Sequence, residues 1–118
     1  MLIIDDDARN TFALSAVLKA KGFTTFTAHN MVEAFAVLQS EKQIGIILLD
    51  MMMPGMDGYE AILILKSTKT YSNIPVIAVT AQAMPGDKEK CFEAGADDYI
   101  SKPVDIDTLL ANLNKYLK

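Results

Sequence analysis

Apolar residues in this chain come in short unbroken runs, and the runs stop at polar or acidic residues. Ile46-Ile47-Leu48-Leu49 leads straight into Asp50 and then into Met51-Met52-Met53-Pro54-Gly55-Met56-Asp57-Gly58. That run is too short for a solvent-facing helix and too uniform for a half-exposed strand, so it reads as a central parallel strand covered on both faces. Leu2-Ile3-Ile4 has the same character and ends in Asp5-Asp6-Asp7, and Pro75-Val76-Ile77-Ala78-Val79 ends at Thr80. Thr24 to Ala28 is β-prone but half polar, and Tyr99-Ile100-Ser101 is short.

Helical patterns fill the intervals. Ala8 to Lys21 predicts a helix closed by Gly22, with Leu14, Val17, Leu18 and the Lys21 stem as its core stripe. Asn30 and Glu33 have capping-box spacing, with Asn in place of Ser or Thr, ahead of a helix to about Ser40. Further helices are expected from about Tyr59 to Ser67, from about Gly86 to Ala94 with Gly95 as the stop, and from a cap at Asp105 to about Leu117. Five strand–helix pairs in succession imply an α/β, doubly wound parallel sheet with right-handed crossovers. The first, third and fourth strands are nearly all apolar and belong in the centre, whereas the Thr-rich second and short fifth suit the edges. The expected order is therefore 2-1-3-4-5, a flavodoxin-like sheet with helices on both faces and a switch point between the first and third strands.

Composition and charge narrow the function classes. A chain of 118 residues, 51% apolar, can bury one core, and residues 1–118 are expected to form one domain. A net charge of −4 makes a poor electrostatic match for nucleic acid or anionic membrane, so neither direct nucleic-acid binding nor membrane insertion is expected. The one cysteine, Cys91, has no internal disulfide partner. No apolar run approaches the ~20 residues of a membrane span, and no signal peptide is visible, so the expected compartment is the cytoplasm. Met1 leads directly into a strand, which fits a domain excised from a longer protein as well as a short natural chain.

With that strand order, chosen groups gather at the carboxyl rim where α/β sheets bind ligands. Asp5 and Asp6 leave the first strand, Asp50 the third, Thr80 the fourth and Lys102 the fifth. Three converging carboxylates without a partner push one another toward the protonated form, which a bound cation relieves; an all-oxygen set suits Mg²⁺ or Mn²⁺. The backbone carbonyl of Met52 can add a further oxygen from the loop, whatever its side chain. An ionised aspartate beside a metal site, a lysine and a hydroxyl suggests phosphoryl transfer to Asp50. The metal and the Lys102 ammonium neutralise oxygens of the incoming phosphoryl group, and Thr80 donates to a third.

Ile4-Asp5-Asp6, Asp50 through Gly58, Thr80-Ala81 and Tyr99-Ile100-Ser101-Lys102-Pro103 together resemble the motifs of bacterial response-regulator receiver domains, in the same order and across essentially the whole chain. The resemblance implies that Asp50 takes a phosphoryl group from a phosphohistidine on a histidine kinase or histidine phosphotransfer domain. It implies that Asp6 ligates the metal directly, Asp5 mainly through water and Met52 through its carbonyl. Thr80 becomes the switch hydroxyl, Tyr99 the aromatic that moves with it, and Lys102 the salt-bridging lysine before a cis peptide to Pro103. The face of the fourth helix, fifth strand and fifth helix then changes its preferred partner, and slow autodephosphorylation resets a switch that is not a turnover enzyme. Arg9 to Leu14 and Gly86 to Cys91 look more like receivers fused to hybrid sensor kinases than like those of transcription factors, which would make the parent protein a histidine kinase.

Taken singly, these residues have plainer readings. Asp7 reads as a helix cap, Asp57-Gly58 as a turn and helix entry, and the Met51–Met53 run with Met56 as loop packing, since thioethers select soft copper. His29 and Cys91 read as incidental. An aspartyl phosphatase of the haloacid-dehalogenase type needs its nucleophile on the first strand in Asp-x-Asp-x-Thr/Val, and Asp5-Asp6-Asp7-Ala8-Arg9 ends wrongly. An inert receiver-like module normally lacks an acid or the lysine, and a flavin site needs a Ser/Thr/Gly-rich phosphate loop after the first strand. On the first helix Phe12, Ala13, Ala16 and Ala20 lie away from the expected core stripe, forming a candidate docking face for the helices of a phosphodonor.

Overall fold

The computed structural model describes residues 1–53, 55, 57–80, 86–102 and 104–116. Runs with no polar side chain to expose pair in the middle of a parallel sheet: β1 (Leu2–Ile4), β3 (Ile47–Asp50) and β4 (Val76–Thr80). The half-polar β2 (Phe26–Ala28) and the short β5 (Asp98–Ser101) take the edges, so the order is β2-β1-β3-β4-β5. The helices are α1 (Ala8–Ala20), α2 (Met31–Ser40), α3 (Gly58–Ser67), α4 (Asp87–Ala94) and α5 (Ile106–Tyr116). Predicted and observed ends differ by a few residues, most at β2, which starts at Phe26 and not Thr24. The last helix was expected to about Leu117, which lies outside the described residues, as do Pro54, Met56, Ala81 and the expected cis peptide to Pro103.

Alternation along the strands sorts the core into two layers. Leu2, Ile4, Ile47, Leu49, Val76 and Ala78 pack against Ala34 and Leu38 of α2, Ile62 and Leu65 of α3, and Cys91 and Ala94 of α4. Ile3, Leu48, Ile77 and Ile100 face Leu18 of α1 and Leu109 and Leu113 of α5. The caps follow the local chemistry read from the sequence: Asp7 accepts from the Arg9 N–H and Asn30 from the Glu33 N–H, while Asp57 accepts from the N–H groups of Tyr59 and Glu60. Glu33 completes its box by accepting from the His29 N–H at 3.0 Å, with His29 Nδ1 3.3 Å from the same oxygen.

One element departs from its predicted orientation. The face of α1 turned to the sheet is Thr11, Ser15 and Leu18, whereas Leu14 is half-buried and Val17 and Lys21 are exposed. The hydroxyls tolerate burial because they are paired: Thr11 Oγ1 donates to the Ala8 carbonyl at 2.9 Å, and Ser15 Oγ and Thr25 Oγ1 share a 2.7 Å hydrogen bond that ties α1 to the start of β2. A stripe chosen by hydrophobicity alone is therefore rotated from the true one.

Candidate functional site

Register brings the acids together. Ile4 pairs with Leu49, so the next residues, Asp5 and Asp50, leave adjacent strands side by side. One carboxylate oxygen from each of Asp5, Asp6 and Asp50 lies within 4.8 Å of the others. Asp5 and Asp50 are buried, at 8% and 4% exposure, and Asp6 is open to solvent. Both buried carboxylates are oriented by the backbone two residues on: Asp5 Oδ1 accepts from the Asp7 N–H at 2.9 Å, and Asp50 Oδ1 from the Met52 N–H at 2.9 Å.

Thr80 and Ser101 are register partners, and Lys102 comes next, its N–H donating to the Thr80 carbonyl at 2.6 Å. This carries the Lys102 side chain over the acids, where Nζ lies 3.1 Å from Asp50 Oδ2 and 4.0 Å from Asp5 Oδ2. Thr80 Oγ1 donates to the Tyr99 hydroxyl at 3.1 Å. Tyr99 is half-buried and packs on the α2–α3–α4 side of the core. The residues singled out from sequence as chemically active, Asp5, Asp6, Asp50, Thr80 and Lys102, thus stand at neighbouring strand ends, with Tyr99 joined to them through Thr80.

The electrostatics follow from this crowding. Burial first, and then the neighbouring Asp50 carboxylate, raise Asp5 above the usual 3.8, although the Asp7 N–H and the Lys102 ammonium pull the other way. A single lysine leaves the carboxylate trio short of positive charge. The donor set is all oxygen. These residues fit a hard divalent cation.

Two contacts were not anticipated. The Tyr59 hydroxyl donates to Asp87 Oδ1 at 3.3 Å, tying the start of α3 to the start of α4. Cys91 lies nearby, and burial, followed by the Asp87 charge, pushes its thiol up, away from reactivity. The Tyr59–Asp87 pairing has no local sequence signal, because it joins two elements across the fold.

Comparison with known proteins agrees with this geometry. Residues 1–114 match the family described as the response regulator receiver domain. The chain belongs to that family. It is 37% identical over 117 residues to the protein PilH of Pseudomonas aeruginosa, covering 99% of this chain and 96% of PilH. It is 38% identical over 116 residues to the sensor histidine kinase RcsC of Escherichia coli, covering 98% of this chain but only 12% of RcsC. Among solved structures, the signal receiver domain of a DNA-binding response regulator from Colwellia psychrerythraea superposes with a TM-score of 0.89 at 29% identity, over 98% of this chain and 95% of that one. A Burkholderia pseudomallei response regulator solved with a phosphorylated aspartic acid, calcium ion and citrate gives a TM-score of 0.83 at 25% identity, over 93% of this chain and 63% of that one. The receiver thus has relatives both as a nearly whole protein and as a small part of a large kinase.

Proposed function

We propose that this receiver, residues 1–118 taken as one domain, is the phospho-accepting switch of a two-component phosphorelay and that Asp50 is the acceptor. The observation that carries the reading is the Lys102 ammonium 3.1 Å from Asp50 Oδ2, beside two further carboxylates. An Asp50 oxygen attacks phosphorus, the bond from phosphorus to the donor imidazole nitrogen breaks, and that nitrogen keeps the electron pair, leaving a neutral imidazole after proton uptake. A carboxylate nucleophile needs no general base. The Met52 N–H fixes its Oδ1, and Lys102 moves from the carboxylate to a phosphoryl oxygen as charge develops there. Asp5, Asp6, Asp50 and the Met52 carbonyl are the residues to hold Mg²⁺, or Mn²⁺, which supplies charge neutralisation when bound.

The switch reading assigns Thr80 to a phosphoryl oxygen. Its hydroxyl now donates to Tyr99, so turning toward the phosphoryl group exchanges that bond and releases the ring to repack, altering the face of α4, β5 and α5. Water then cleaves the acyl phosphate, so the domain resets itself slowly and is not a turnover enzyme. Donors are a histidine kinase or histidine phosphotransfer domain. The likeness to RcsC supports a receiver fused to a kinase, and a downstream effector or fused domain reads the output. The cytoplasm is the proposed compartment; among the described residues no helix is long and apolar enough to cross a membrane.

Acetyl phosphate with Mg²⁺ tests the reading. The protein is expected to gain one acid-labile phosphoryl group, seen by mass spectrometry, and Asp50→Asn to gain none. Labelling that persists in Asp50→Asn, or steady turnover of phosphate esters, overturns the assignment.

A further inference from the structure

The rotation of α1 has a consequence beneath the acids. With Thr11, Ser15 and Leu18 turned to the sheet, Leu14 and Val17 border a cavity of ≈ 590 Å³ whose opposite wall is Ile106 and Leu109 of α5 and whose floor includes Leu48. At its upper end the cavity meets Asp5, Asp50 and Lys102, so one space runs from an apolar cleft between α1 and α5 to a charged mouth. Its volume lies within the roughly 300–1,000 Å³ of small-molecule sites, and its build, apolar walls with a few convergent polar groups at one end, is theirs as well.

We infer that this cavity binds an amphipathic amine, with the ammonium between Asp5 and Asp50 and the aliphatic body between α1 and α5. The sign of the head group follows from the mouth. Two carboxylates face one ammonium there, the Asp5 and Asp50 side chains being 11% and 5% exposed. Lys102 reaches Asp50 Oδ2 at 3.1 Å but stops 4.0 Å from Asp5 Oδ2, beyond hydrogen-bond length, which leaves Asp5 open to a second cationic donor. An anionic or neutral head gains nothing comparable. The occupant takes the position of a divalent cation, and two cations do not share it, so amine binding holds Asp50 unphosphorylated. The inference shares the acids with the phosphoacceptor reading but goes beyond it.

The test uses the full chain and three probes of equal length, n-octylammonium, 1-octanol and octanoate, followed by calorimetry and methyl NMR. Octylammonium is expected to bind one to one and shift the methyls of Leu14, Val17 and Ile106. Octanol is expected to bind about tenfold or more weakly, as befits loss of a buried charge pair, and octanoate not at all. The apparent octylammonium Kd rises in proportion to added Mg²⁺. Val17→Trp, or Ile106→Trp from the other wall should the first not fold, abolishes amine binding while Mg²⁺ titrations stay unchanged. Equal binding of octanol, indifference to both tryptophans, or independence from Mg²⁺ that binds in its own titration overturns the site. Failure of Mg²⁺ itself to bind sinks the metal reading above, and the preference for octylammonium over octanol remains the separate measure of this one.

Discussion

At Asp5, burial and the Asp50 charge both favour the protonated acid, so ionisation there works against folding. The folded value lies above the unfolded 3.8, so the folded state binds more protons and stability falls as pH rises from below 3.8 through the raised value. Asp5→Asn removes that cost. In metal-free buffer at pH 7 the variant is expected to melt higher than the parent by about 4 °C, the equivalent of about 1 kcal/mol for a domain of this size, and the gap closes on acidification below 3.8. Added Mg²⁺ reverses the order, because it stabilises the parent and not the variant. Calorimetric melts with and without EDTA check both halves. The same residue that weakens the fold is thus one proposed to hold the metal, a local conflict of the kind functional positions carry.

At the scale of elements, the C-terminal end of α4 is a tight joint. Gly95 closes the helix at φ +118°, and a Cβ there lies 2.9 Å from Lys66 Cγ. Lys66 cannot readily give way, since its Nζ is held by Asp97 Oδ2 at 2.6 Å and by the Ile74 carbonyl at 2.8 Å. Gly95→Ala is expected to cost about 2 kcal/mol, combining left-handed backbone strain with the side-chain clash, measured as a lower urea midpoint. The glycine's role as a helix stop was legible from its position after an amphipathic stretch. The Lys66 contact was not, since it joins α3 to the turn before β5. The α1 stripe held at Leu18 and in part at Leu14 but not at Val17 and Lys21, for a related reason: only the position of Thr25 makes Ser15 a residue that can be buried.

Across the whole molecule, the two faces of the sheet differ in what they leave open. The α2–α3–α4 layer has a pocket of ≈ 60 Å³ beside Leu38, Ile44 and Tyr71, while the α1–α5 layer holds the cavity of ≈ 590 Å³ that reaches the acids. On α1, Phe12 is 78% exposed and Ala13, Ala16 and Ala20 are exposed with it, and the docking of a phosphodonor on this face is open to test. Phe12→Glu is predicted to slow phosphotransfer from a phosphohistidine donor about tenfold, the loss of a modest interface anchor, with acetyl phosphate labelling of Asp50 unchanged. Equal loss of both rates identifies misfolding and removes the docking assignment. Transfer from the phosphohistidine donor at the parent's rate does the same.

By itself the sequence determined the alternation of strands and helices, the central place of the three apolar strands, the caps at Asp7, Asn30 and Asp57, and the arrival of Asp5, Asp50, Thr80 and Lys102 at strand ends. These follow from periodicity and turn chemistry within a few residues, and in a parallel sheet a residue's place at a strand end fixes the rim it occupies. Only the tertiary structure decided how α1 is rotated, that Lys102 sits closer to Asp50 than to Asp5, that Thr80 holds the Tyr99 hydroxyl, and that the acids open onto an apolar cleft. Each of these depends on distances between elements far apart in the chain, where hydrogen-bond pairing and packing override the local hydrophobic pattern.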